Sequence, residues 1–140
     1  MERKVATTVN IEFIGGKDVM PIEAYWGPYP HHWMEEDYKG KEDPYAEMIN
    51  DEYFKMIKEC GINIIEHSHT DYTRYPEEFR KSLELASKYG IGYIVLDEQL
   101  VKYSKDENAD LDKIAERVAE YKDYPAYMAL YVVDEPKSKT

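Results

Sequence analysis

Three short polar groups follow apolar runs in this chain, and each has a spacing that chemistry can use. Asp134-Glu135 follows the run from Tyr127 to Val133, Asp97-Glu98 follows Ile91 to Leu96, and His67-Ser68-His69 follows Ile62 to Glu66. Adjacent carboxylates repel each other's charge, so one of them keeps its proton to higher pH, and a proton donor beside an ionised acceptor can do general acid–base work. Histidines two apart on a strand share a face, and carboxylates from adjacent strand ends would complete a donor set for a divalent metal. Tyr25, Trp26 and Trp33 add flat rings with polar tips, suited to stacking on a sugar face or to an interface. His31-His32, in the same stretch as Trp33, read as solvated.

The elements that position these groups are legible from periodicity. Val5, Thr7, Val9, Ile11 and Phe13 alternate with Ala6, Thr8, Asn10 and Glu12, which predicts a half-buried strand; Gly15-Gly16 then turns into an extended run from Val19 to Trp26, forming a hairpin. A long polar and aromatic loop from Pro28 to Ile49 follows, of a length usually tied to function or mobility. Asn50 caps a helix carrying Tyr53, Phe54, Ile57 and Cys60, ended by Gly61. Pro76 opens a second helix with Phe79, Leu83, Ala86 and Tyr89 on its apolar face, stopped by Gly90. Leu111, Ile114, Val118 and Tyr121 make a third stripe. The strands between start near Pro21, Ile62, Ile91 and Tyr127.

Strands apolar on both faces that alternate with amphipathic helices predict an α/β fold with a helix-covered parallel sheet. In such folds ligands bind at the carboxyl ends of strands, because the loops there vary while the strands hold them. The polar groups named above all fall at those ends, which predicts one shared cleft containing His67, His69, Asp97, Glu98, Asp134 and Glu135.

Composition narrows the classes of partner. The 140 residues carry 18 Lys and Arg against 29 Asp and Glu, a net charge of −11 with no basic run, which argues against nucleic acid or an anionic membrane as the main partner. A chain of this length with 43% hydrophobic residues can bury roughly two thirds of its unfolded surface, so residues 1–140 read as one domain, with 137–140 a flexible tail. The single cysteine, Cys60, cannot form an internal disulfide and reads as a core thiol. No run approaches the ~20 apolar residues of a membrane span, and Met1 to Gly16 lacks a signal-peptide core, so the chain is expected to be cytoplasmic or already processed, with secretion of a longer parent left open. The 14 tyrosines are the unusual count, many of them in segments that do not read as core.

The last strand is where the chain begins to resemble a family. Tyr127-Met128-Ala129-Leu130-Tyr131-Val132-Val133-Asp134-Glu135-Pro136, preceded by Tyr121-Lys122-Asp123-Tyr124-Pro125-Ala126, resembles the fourth strand of clan A glycoside hydrolases. Gly15-Gly16-Lys17-Asp18, Met20-Pro21-Ile22 and Tyr25-Trp26-Gly27-Pro28 are similar to the hairpin and first barrel strand of such enzymes. Glu59-Cys60-Gly61-Ile62-Asn63 resembles their turn into strand two. The resemblance spans nearly the whole chain and rests on the order and spacing of these motifs. It implies parallel βα units of a TIM-type barrel, here a half-barrel of four strands and three helices with an N-terminal hairpin over residues 1–20. It further implies a carbohydrate substrate and Glu135 as the general acid/base at an O-glycosidic bond. Asp134 stands where the clan usually has an Asn that hydrogen-bonds the sugar's 2-hydroxyl, and it can accept the same bond. Trp26, Tyr25, Trp33, His67, His69, Asp97 and Glu98 complete the expected substrate-binding set, with no cofactor and no resident metal.

A complete barrel takes about 200 residues at least, and the family's nucleophile lies on strand seven, so no residue here is named for that role. The expectation is the front half of a larger hydrolase, inactive as the isolated chain, or a half-barrel completed by a second copy. Two other classes compete with it: a non-catalytic carbohydrate-binding or self-associating half-barrel, and a metal-dependent barrel hydrolase built on His67, His69 and carboxylates.

Overall fold

The computed structural model describes residues 11–25, 27–30, 48–106 and 108–131. The side chains of Ser68 and His69 also lie outside the description. So do Val5 to Asn10, most of the long loop, and the segment from Val132 onward, including Asp134 and Glu135.

Helix α1 (Asp51–Glu59) starts where Asn50 Oδ1 accepts the Tyr53 N–H at 3.0 Å, and it buries Phe54 completely. Helix α2 (Pro76–Tyr89) begins with a proline whose missing N–H costs nothing there, and it ends at Gly90 in the left-handed region (φ 64°). Phe79, Leu83 and Ala86 form its buried face, as periodicity predicts. Strands β1 (Glu23–Ala24), β2 (Ile64–Asp71), β3 (Gly92–Leu96) and β4 (Tyr127–Tyr131) pair in the order β1-β2-β3-β4, and every pair is parallel. Each strand therefore lies beside its sequence neighbour, with no reversal of order within the sheet.

Ile65, Tyr93 and Val95 point from one sheet face into a core with Phe54, Phe79, Leu83 and Tyr121. Side chains alternate along a strand, so Ile64, Glu66, Gly92 and Ile94 belong to the opposite face. There a Cβ on Gly92 would lie 1.8 Å from Met128 Sδ and 3.3 Å from an Ile14 methyl carbon, so Gly92 makes room for the side chains that cover this end of the sheet.

Several features differ from the sequence expectation. Ile11–Ile14 is a 3-10 turn rather than the end of a strand, because the amides of Gly15 and Gly16 bond back to the carbonyls of Glu12 and Ile11. No hairpin forms among the described residues, and the run from Val19 shortens to the two residues of β1. Buried Asn63 explains the second change: its Oδ1 accepts the Ile22 N–H at 2.8 Å and its Nδ2 donates to the Met20 carbonyl at 2.9 Å, taking backbone groups that a longer strand would use.

Among the described residues the helices number four, not three. An unexpected α3 (Glu98–Ser104) precedes α4 (Leu111–Ala119), because Asp97 accepts the Gln99 N–H at 3.1 Å and caps a new helix. Within the third apolar stripe Leu111 is 70% exposed, whereas Tyr121, beyond the helix end, is buried. Cys60 is also exposed rather than core, since α1 ends at Glu59 and Cys60 caps it. Finally, β2 runs on to Asp71, so His67-Ser68-His69 lies within the strand and not after it. No described helix is long and apolar enough to cross a membrane.

Candidate functional site

The ladder between β2 and β3 is interrupted where the histidines fall. Glu66 pairs with Ile94 and Asp71 with Leu96, so β2 advances five residues while β3 advances two, leaving three extra residues on β2. Such bulges re-aim side chains and recur beside functional sites. A smaller irregularity faces it from β4, where Tyr93 pairs with Tyr127 and Ile94 with Ala129, so Met128 is the extra residue.

Inside this distortion the structure brings together Glu66, His67 and Tyr131. The His67 and Tyr131 rings meet with centroids 4.6 Å apart and planes at 65°, an edge-to-face contact. His67 Nε2 lies 3.9 Å from Glu66 Oε1, with the two side chains only 12% and 8% exposed. The Tyr93 hydroxyl donates to the His67 carbonyl at 3.3 Å, satisfying a backbone acceptor beside the break in the ladder. Burial, opposed in part by the neighbouring Ser82 and Thr70 hydroxyls, pushes the Tyr93 phenol up to about 12, so it remains a donor.

The other polar groups at the strand ends serve as clasps. Asp97 is fully buried and takes two bonds from Arg117, Nε to Oδ2 at 2.7 Å and Nη2 to Oδ1 at 3.4 Å. Thr73 and Tyr121 hydroxyls add longer bonds to the same carboxylate. Arg117 also lies over the Tyr72 ring, 4.2 Å from its centroid. Burial works against the Arg117 charge, but Asp97 outweighs it and raises the guanidinium further above its ordinary value. Burial first, and the Asp97 charge second, raise the Tyr121 phenol.

Asp71, also buried, accepts the Glu98 N–H at 2.8 Å and the Arg74 N–H at 3.0 Å, tying the end of β2 to the start of α3. Glu98 itself pairs with Arg74 at 2.6 Å. The carboxylates of Asp97 and Glu98, expected to line the cleft, are thus engaged by arginines that join β3 to α4 and β2 to α3. A shallow cleft of about 270 Å³ opens between α3 and α4, lined by Gln99, Tyr103, Lys113, Glu116, Arg117 and Glu120, with acids and bases interleaved along its wall.

Of the expected substrate-binding residues, His67 joins the constellation and Tyr25 stands 56% exposed just after β1. Trp26, Trp33, Asp134 and Glu135, together with the His69 side chain, lie outside the described residues. Among the described residues no group of three or more His, Cys, Asp or Glu could hold a metal. Glu66 and Tyr131 lie outside the expected set. The signal for Glu66 is a carboxylate inside an apolar strand of a covered parallel sheet, where charged residues are seldom buried without a partner. Tyr131 carries no comparable signal, because an aromatic in a strand is ordinary.

Comparison with protein-family models, with curated proteins and with solved structures finds no match to this chain. What can be said of its function therefore comes from its own residues and their arrangement.

Proposed function

We propose that this chain is the front half of a TIM-type barrel of glycoside hydrolase kind, acting on the O-glycosidic bonds of a carbohydrate. The observation that supports the barrel in this reading is the strand order, while the glycosidic chemistry rests on the resemblance of Tyr127 to Pro136. Four parallel strands following one another in sequence, with helices in the connections, are how a closed barrel is wound, whereas doubly wound sheets reverse their order. In this reading Glu135 protonates the leaving oxygen as general acid and later acts as base, while Asp134 accepts a hydrogen bond from a sugar hydroxyl. The nucleophile belongs to strands beyond β4.

The test is hydrolysis of a panel of aryl glycosides by the protein from the complete reading frame, with and without Glu135→Gln. Loss of turnover by about 10²–10⁴-fold with folding intact supports the role, as expected for removal of a general acid. Unchanged turnover refutes it.

A non-catalytic carbohydrate-binding or self-associating half-barrel is the second reading, and the apolar exposure flanking β1 favours its self-associating form. Met20 is 75% exposed and Ile22 45%, beside the exposed ring of Tyr25. A dimer mass in solution together with no turnover by the complete product would select it, and an active strict monomer would rule it out.

A further inference from the structure

We propose that a cleft at the C-terminal end of α4 receives an arginine side chain from a basic segment of a partner protein. The inference is independent of the carbohydrate reading and of the strand ends.

The cleft holds about 270 Å³ and is lined by Ala119, Glu120, Asp123, Tyr124 and Pro125. Pockets for drug-sized ligands run from about 300 to 1,000 Å³, so this one is of a size for a single long side chain. Its walls are fixed by the turn that follows the helix. Glu120 caps α4, and the amides of Tyr121 and Tyr124 bond back to the carbonyls of Val118 and Tyr121. Buried Tyr121 and Ala126 anchor the turn on either side, and the Ser87 hydroxyl on α2 accepts the Ala126 N–H at 3.1 Å. Between these anchors Asp123 and Pro125 are exposed, while Tyr124, half-buried, packs against the core.

The lining has two parts of different chemistry. Ala119, Pro125 and the Tyr124 ring give apolar surface, and the charged groups among the lining residues are two carboxylates. Glu120 Oε2 accepts the Tyr72 hydroxyl and lies 3.8 Å from Arg80 Nη2, which holds the carboxylate while Oε1 stays open. The Asp123 side chain forms no hydrogen bond or ion pair among the described residues. Lys122, between the two acids in sequence, does not line the cleft. Both acids stand at the helix end where the backbone dipole is also negative, so the field there attracts a cation.

A ligand that matches this surface has an apolar stem and a planar cationic head. Arginine has both. Its methylenes can cover Ala119 and Pro125, while its guanidinium stacks on a tyrosine ring and donates to two carboxylates at once, as a lysine ammonium does not. The net charge of −11 steers a basic partner toward the chain.

The experiment titrates the isotope-labelled 140-residue chain with acetyl-Gly-Arg-Gly-amide and follows the backbone amide signals by NMR. Those of Glu120, Asp123 and Tyr124 are expected to move together. The same peptide with neutral citrulline in place of arginine is expected to bind at least about tenfold more weakly. Asp123→Asn is expected to weaken the arginine peptide about fivefold. Asp112→Asn, which removes an equal charge from the other end of α4, is expected to keep it within about twofold. Equal loss in the two variants means attraction by the overall charge alone and overturns the inference. Full affinity for the citrulline peptide, or no movement of the three signals, overturns it as well. Methylguanidinium that binds as tightly as the peptide overturns the partner protein in favour of a small cation, and a dimer that Asp123→Asn dissociates overturns it in favour of a second copy.

Discussion

His67 on β2 and Tyr131 on β4 touch edge to face at 4.6 Å, over the strand that separates them. Strands one apart in a sheet lie about 4.8 Å from each other, so two strands separated by a third are about 10 Å apart. Two large rings can close that gap only if each is aimed toward the other. The extra residues after Glu66 in β2 and at Met128 in β4 are the two places where the backbone departs from regular pairing. The contact is thus a product of two irregularities in separate strands.

The Asp97–Arg117 clasp is expected to be the most sensitive polar feature of the fold. Removing the guanidinium leaves a fully buried carboxylate with only hydroxyl and amide donors, so Arg117→Ala is expected to cost about 3–5 kcal/mol. Arg117→Lys is expected to recover only part of this, since an ammonium cannot reach both oxygens as a planar fork. Urea denaturation measures the loss, as a lower midpoint with an unchanged slope.

Asn63 joins the lead-in to β1 with the start of β2 through both ends of its amide. Asn63→Ala leaves the Ile22 N–H and the Met20 carbonyl without these partners and is expected to destabilise by about 1–3 kcal/mol. Hydrogen exchange is the sharper readout: protection at Ile22 is expected to fall, while that at Val95 in the core tracks only the global loss.

At high pH the buried tyrosines set the limit of stability. Tyr93 is raised to about 12 by burial, and Tyr72, Tyr121 and Tyr127 are raised as well, in each case chiefly by burial. A raised folded-state value means the native protein keeps its proton after the unfolded chain, near pH 10, has lost it. The stabilisation is therefore complete below pH 10 and is lost as pH climbs through 12, with Tyr93 alone accounting for about 2–3 kcal/mol. Tyr93→Phe is expected to lower stability at pH 7, through loss of the bond to the His67 carbonyl, yet to flatten the decline between pH 10 and 12. Urea midpoints across that range decide it; an equally steep decline in the variant would remove Tyr93 from this account.

Cys60 is exposed, so a thiol reagent is expected to modify it in the native state at nearly the rate of a free thiol. Cys60→Ser is expected to change stability by less than about 0.5 kcal/mol. Modification that waits for unfolding would contradict the exposed position.

The apolar periodicities of α1 and α2 were legible because each depends on local spacing and on caps within the same few residues, as with Asn50 and Gly90. The failures share a cause. The strand expected at Val19–Trp26 ignored Asn63, more than 35 residues away, whose amide takes the backbone groups of Met20 and Ile22. Sequence spacing places Asp97 among the cleft carboxylates because its Arg117 partner, 20 residues on, is set by packing between elements.

From sequence alone follow the α/β class and the alternation of strands and helices, because hydrophobic periodicity is a local property of the chain. Only the tertiary structure decided the consecutive order of the strands and the pairing register that sets three residues loose after Glu66. It alone made Asp97 and Arg117 a buried clasp, and brought His67 to Tyr131. These depend on contacts between residues far apart in the chain, where many arrangements satisfy the same local pattern and packing selects one.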